Sequence, residues 1–96
     1  MPKTATICEA LDSLRILSVT YDGKARRIEP FCHGTNMTGE DVLRAYQISS
    51  SDGKTGWRMF FTSRLTQVTL DPEPFETDRP GYNRDDKHMV RVHCCV

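Results

Sequence analysis

The sequence predicts a mainly β, α+β domain: a small antiparallel β-barrel with one helix at its N-terminal end. Three observations predict it. The hydrophobic period is two over most of the chain, hairpin signals separate short strands, and no strand–helix–strand rhythm recurs. Closing such strands into a barrel also removes the edges that five short strands would otherwise expose. With 96 residues, the chain can bury only about two-thirds of its unfolded surface in a single core, so residues 1–96 are read as one domain.

Taken in order, Ile7, Ala10, Leu11 and Leu14 follow the i, i+3, i+4, i+7 rule, and Thr6 with Glu9 has capping-box spacing. A helix over about 5–14 follows. It is too short to hold itself in water, so its apolar stripe must cover the sheet or a partner. From Arg15 the period is two, with Leu17, Val19 and Tyr21 on one side and Ser18 and Thr20 on the other, up to Asp22-Gly23, a pair that favours a type I′ turn. The return strand, Lys24–His33, carries Arg26, Arg27 and Ile28 before Glu29-Pro30, where the proline implies an edge, a bulge or a strand end.

A turn-rich loop over His33–Glu40 leads to a third strand, Val42–Ser49, with Val42, Arg44, Tyr46 and Ile48 on one face. The polar connection Ser49–Gly56 leads to a fourth, Trp57–Thr62, and Leu65–Leu70 reads as a fifth, which puts Arg64 at a tight junction. Asp71–Lys87, rich in proline, glycine and acids, is read as an ordered loop anchored by Phe75 and Tyr82, with a type II turn at Arg79-Pro80-Gly81-Tyr82. Alternation of Val90, Val92, Cys94 and Val96 predicts a last strand over His88–Val96.

Thirteen basic and thirteen acidic side chains balance to zero, which excludes the broad cationic surface of a nonspecific nucleic-acid coat; any basic site must be local. There is no apolar run of spanning length, no charged-then-hydrophobic N-terminus and no lipidation signal, so a soluble cytoplasmic chain without membrane contact is expected. Of the cysteines Cys8, Cys32, Cys94 and Cys95, two are adjacent and none lies between 33 and 93, a poor disulfide framework. Reduced thiols are expected.

The run Trp57–Leu65 sets Arg58 and Arg64 among apolar, strand-forming residues. A guanidinium removed from water without a partner costs several kcal/mol, so each needs a carboxylate, a backbone acceptor or an anionic ligand. Arg27, Arg44, Arg58 and Arg64 each border a strand, and a small closed sheet can bring several of them to one side, where their planar forks suit phosphate or carboxylate. Arg79 or Arg84 can extend such a site. The competing reading is internal pairing with Glu29, Glu40 or Asp41. Tyr46 beside Tyr21, Trp57 and Phe60 offers a base-stacking surface, against the commoner use of such rings as core.

Cys32-His33 and His93-Cys94-Cys95 supply soft metal donors, but strand neighbours point to opposite faces, leaving sets such as Cys32 with Cys94, or His33 with His93 and Cys95. Without a C-x-x-C loop, no metal and no cofactor are expected. His33, His88 and His93 near Cys32 or Cys94 are the only catalytic candidates, without a glycine elbow or an orienting third group, so the chain is read as not an enzyme. The acidic loop lacks the D-x-D/N-x-D/N-G calcium pattern.

Several of these short patterns, taken in order, resemble the WYL domain, a bacterial sensor module with an Sm-like, SH3-type barrel. A helix feeds a strand ending Tyr21-Asp22-Gly23, similar to the family's Y-x-G, followed by Arg27-Ile28-Glu29-Pro30, which resembles its R-x-V/I-x-P or R-V/I-E-P turn. Leu43-Arg44-Ala45-Tyr46 follows where the family has its namesake tripeptide and an A-Y pair, and Arg58-Met59-Phe60 and Arg64-Leu65 resemble its R-x-F and R-I elements. Residues 7–75 are covered. The namesake tripeptide falls on Asp41-Val42-Leu43, of which only the leucine matches. The resemblance implies a stand-alone sensor or adaptor for a negatively charged ligand, nucleotide or nucleic acid, and the residues read above, Arg27, Arg44, Arg58 and Arg64 with Tyr46 and Phe60, are expected to bind an anion such as a nucleotide or a single strand. The alternative is a homo-oligomeric or adaptor protein whose helix and edge strands form the interface, the arginines being structural.

Overall fold

The turn at Asp22-Gly23 organises the sheet. Both residues take positive φ, 52° and 77°, as a type I′ turn requires, and Tyr21 and Lys24 pair directly across it. The structure, a computed structural model, describes residues 3–77, 79–82 and 89–96, and of residues 3 and 4 only the backbone. In chain order it holds α1 (Lys3–Ser13), β1 (Arg15–Tyr21), β2 (Lys24–Thr35), β3 (Asp41–Ser50), β4 (Gly56–Phe61), a 3-10 turn (Thr62–Arg64), β5 (Leu65–Pro74) and β6 (Arg91–Cys95).

Among the described residues this is a mainly antiparallel β protein with one helix, 59% strand. The strand order is β4-β3-β2-β1-β5, with β6 added on β2. The sheet is not closed: β4 and β5 stand at the two ends of the path, joined by the 3-10 turn that holds Arg64 at the expected tight junction.

Pro30 explains how one strand serves three neighbours. β1 pairs with Lys24–Ile28, β6 pairs with Cys32–Thr35, and β3 runs along both stretches with a register shift between Pro30 and Cys32. A proline has no N–H to give a ladder, so it fits where one partner has ended and the next has not begun. The strand therefore continues to Thr35, beyond the His33 limit expected from sequence. Gly34 is needed at the second crossing. A Cβ there would lie 2.1 Å from the Arg91 carbonyl oxygen of β6, a distance no side chain tolerates.

Helix α1 begins at Lys3 rather than near residue 5, so Thr6 and Glu9 lie inside it and form no capping box. Leu14, at φ 54°, ends it. Its stripe of Ile7, Ala10 and Leu11 covers Leu17, Val19, Tyr21, Ile28, Leu43, Ala45, Phe60 and Leu65, one contiguous core. The helix is thus a lid on its own sheet. On the other side Phe31 meets Trp57, Phe75 and Tyr82 at ring centroid distances of 4.8 to 5.3 Å, which makes Phe75 and Tyr82 the anchors expected of the segment after β5. Gly81 at φ 91° after Pro80 fits the type II turn. Strand β5 runs to Pro74, longer than the expected Leu65–Leu70. The loop's residues 83–87, Arg84 among them, and His88 of the expected last strand lie outside the described residues.

Candidate functional site

Strand alternation separates the expected arginine cluster. Arg27 faces outward opposite Ser18 and Ser49, where its guanidinium meets Asp71 at 3.3 Å and, more tightly, Glu73. The Glu73 hydrogen bond is the main cause holding its charge, and Asp71 is in turn kept below the usual carboxylate range, first by the Glu73 backbone N–H and then by Arg27. Arg64 forks onto Asp22 of the hairpin, with Nε 3.0 Å from Oδ1, and lies over the Tyr21 ring at 5.0 Å. Arg58 is exposed on β4. It shares strand parity with Phe60, so it stands on the opposite face from Arg44. Arg79 is forked onto Glu29 at 2.9 to 3.1 Å. The four arginines Arg27, Arg44, Arg58 and Arg64 do not converge.

The stacking surface is corrected in the same way. Phe60 is fully buried beneath α1 and meets Tyr21 edge-on at 4.9 Å, so it cannot touch a ligand. Tyr46 has Arg79 over its ring at 3.9 Å and Trp57 against its edge at 5.5 Å. Arg79 takes up one face of the ring within the fold.

Of the six residues expected at the site, Arg44 stands in a pocket of ligand size with a largely apolar wall. The register pairs Val42 with Phe61, Arg44 with Met59 and Tyr46 with Trp57, so these side chains form one row on the face away from α1. Val42, Arg44, Met59 and Phe61, with Asn36, Met37 and Thr38 of the β2–β3 loop, line a pocket of about 500 Å³, within the usual range for small ligands. The loop is held in shape by Asn36, whose Oδ1 accepts the backbone N–H groups of Thr38 (3.1 Å) and Glu40 (2.9 Å). The Thr38 hydroxyl and Asn36 in turn keep the Glu40 carboxyl below its ordinary value. Met37, at the tip, is 82% exposed.

Two features were missed from sequence. Arg26, opposite Val19 in the ladder, faces inward and is 6% exposed. Its Nη1 donates to Gln47 Oε1 at 2.8 Å, its plane lies near the Tyr21 and Phe60 rings, and its Nε has no partner among the described residues. The ladder position of Val19, a core residue, was the available signal. The second feature is sulfur chemistry. Cys8 and Cys94 form a disulfide, against the expectation of four reduced thiols, while Cys32 and Cys95 are not joined in a disulfide.

The β2–β6 register sets Cys32 opposite Cys95 and His33 opposite Cys94, not the combinations weighed from sequence. His33 is fully buried. Burial first, and His93 second, push its imidazole toward the neutral form.

No family model, curated protein or solved structure matches this chain. Among the described residues no helix is long and apolar enough to cross a membrane.

Proposed function

We propose that the chain is a non-catalytic binding module, a WYL-like cytoplasmic sensor whose ligand is a small amphipathic anion. Its charge sits on Arg44 and its apolar body lies against Val42, Met59 and Phe61. The observation that carries this reading is that Arg44 shares the lining of a pocket of about 500 Å³ with the apolar Val42, Met59 and Phe61 and the polar Asn36 and Thr38. A low-polarity wall strengthens a charged hydrogen bond, and a planar fork suits carboxylate or phosphate equally. The order β5-β1-β2-β3-β4 with a 3-10 turn between β4 and β5 supports the finer Sm-like, SH3-type description. A nucleoside monophosphate or a single-stranded oligonucleotide is the ligand that the resemblance implies; a fatty or aromatic carboxylate suits the lining better.

Calorimetric titration with nucleoside monophosphates, a short single-stranded oligonucleotide, medium-chain fatty acids and aryl carboxylates tests this. Saturable binding by at least one class, weakened about tenfold or more in a folded Arg44→Gln variant, is expected. Silence across the panel, or equal binding by Arg44→Gln and Met59→Asp, overturns it.

One observation favours a second reading, self-association. Among the described residues β6 pairs with β2 alone, and Val90 just before it and Val92 within it are 65% and 51% exposed, a template for strand addition. Light scattering over a concentration series distinguishes it, since a monomer at all concentrations excludes it.

A further inference from the structure

We propose that Cys8, His33 and Cys94 form a redox-gated metal site. When oxidised, the two sulfurs clasp α1 to β6; when reduced, the two thiolates and the His33 Nδ1 hold a thiophilic divalent cation of the zinc class.

Three elements that are far apart in sequence converge here. The ladder sets His33 of β2 directly opposite Cys94 of β6, so the two side chains share a face. Helix α1 lies across that face and brings Cys8 to the same point. The donor atoms of the three residues all lie within 4.8 Å of one another, and His33 Nδ1 is 3.9 Å from Cys94 Sγ. Tetrahedral zinc, with Zn–S near 2.3 Å and Zn–N near 2.0–2.1 Å, sets neighbouring donors about 3.5–3.8 Å apart. The imidazole and the sulfur therefore already stand within a few tenths of an ångström of a coordinating separation.

The donor chemistry agrees with the geometry. Two thiolates and one imidazole select zinc-like ions over calcium or magnesium. His33 is 0% exposed, its Nε2 has no partner among the described residues, and the polar contact its ring makes there is with Cys94. The His93 ring lies nearby, tilted, at 5.1 Å, but its Nε2 is engaged by Thr35 and Asp41. With three protein donors, the fourth position falls to water or an outside ligand. Cys95 sits on the other face, its Sγ 2.9 Å from the Tyr82 hydroxyl, and serves as an internal control.

Passage between the two states is balanced. A dithiol reductant gives two electrons and two protons to the Cys8–Cys94 bond, leaves as its own disulfide, and frees two thiols. Metal binding then breaks the two S–H bonds and releases both protons to solvent. A reducing compartment favours the metal form, and an oxidising one the clasp.

Cobalt(II) is the probe, added anaerobically to the whole chain. One equivalent per chain with thiolate-to-metal charge-transfer absorption is expected after reduction, and none in the oxidised protein. Affinity should fall at least about tenfold in Cys8→Ser and in His33→Gln, and stay unchanged in Cys95→Ser. Reduced wild-type protein without charge-transfer bands, or a Cys8→Ser/Cys94→Ser double variant that binds equally well, overturns the proposal. A buried histidine substitution can prevent folding, so the wild type provides a second measurement. Zinc(II) should slow alkylation of Cys8 and Cys94, read by mass spectrometry, while leaving Cys95 unaffected. Equal rates at all three with and without zinc overturn it as well.

Discussion

Arg26 and Arg27 are consecutive on β2, and almost everything else about them differs. Arg27 lies outside, tied to Asp71 and Glu73. Arg26 lies inside, its charge answered by one amide oxygen and two aromatic rings, with no carboxylate bonded to it among the described residues. The difference comes from the pleat, which sends successive side chains to opposite faces. A guanidinium outside has its choice of acids from distant strands; one inside takes what the core offers. Basic residues adjacent in a sequence are therefore no evidence of a basic site.

The sharpest way to break this comparison is Gln47→Leu, which removes the amide oxygen that Arg26 uses and the donor that Gln47 gives to the Lys54 carbonyl. A buried charge losing its partner is expensive, so urea unfolding should show a loss of about 3 kcal/mol. Next is Arg26→Met, which removes the charge but leaves the buried Gln47 Oε1 without its donor. A neutral orphan costs less than a charged one, so the loss should be about 1–2 kcal/mol. If Arg26→Met proves as damaging as Gln47→Leu, the Tyr21 and Phe60 rings hold this cation more strongly than such contacts usually do.

Arg27→Ala should cost under about 1 kcal/mol, and less as salt is added, because its partners are solvated. The smallest expected effect is acidic. Asp71 has its folded value lowered, so its contribution is present above the ordinary carboxylate range and is lost as pH falls through the lowered value. In Arg27→Ala that loss should be smaller and complete at a slightly higher pH in acid unfolding curves. The shift is slight because the Glu73 backbone N–H is the larger cause and remains.

Local signals in this chain were readable and distant ones were not. The hairpin at Asp22-Gly23, the stripe Ile7, Ala10 and Leu11, the shared face of Val42, Arg44 and Tyr46 and the turn at Pro80-Gly81 all follow from periods and turn chemistry within a few residues. The fate of each arginine depended on a partner some forty to fifty positions away: Asp71 and Glu73 for Arg27, Asp22 for Arg64, Glu29 for Arg79. No spacing rule reaches that far. The sulfur pairing was hidden for the same reason. Adjacent Cys94 and Cys95 look alike in sequence, and only the register of β6 against β2 decides which of them lies under the helix.

The link from Cys8 to Cys94 spans 86 positions, so residues 8–94 are closed into one covalent ring. Such a ring narrows the freedom of the denatured chain by about 4–5 kcal/mol in the loop-entropy treatment. It has a simpler mechanical result too. A protease that nicks the polar β3–β4 connection of the oxidised protein leaves one molecule of unchanged mass but for a water, and two fragments appear only when a reductant opens the ring.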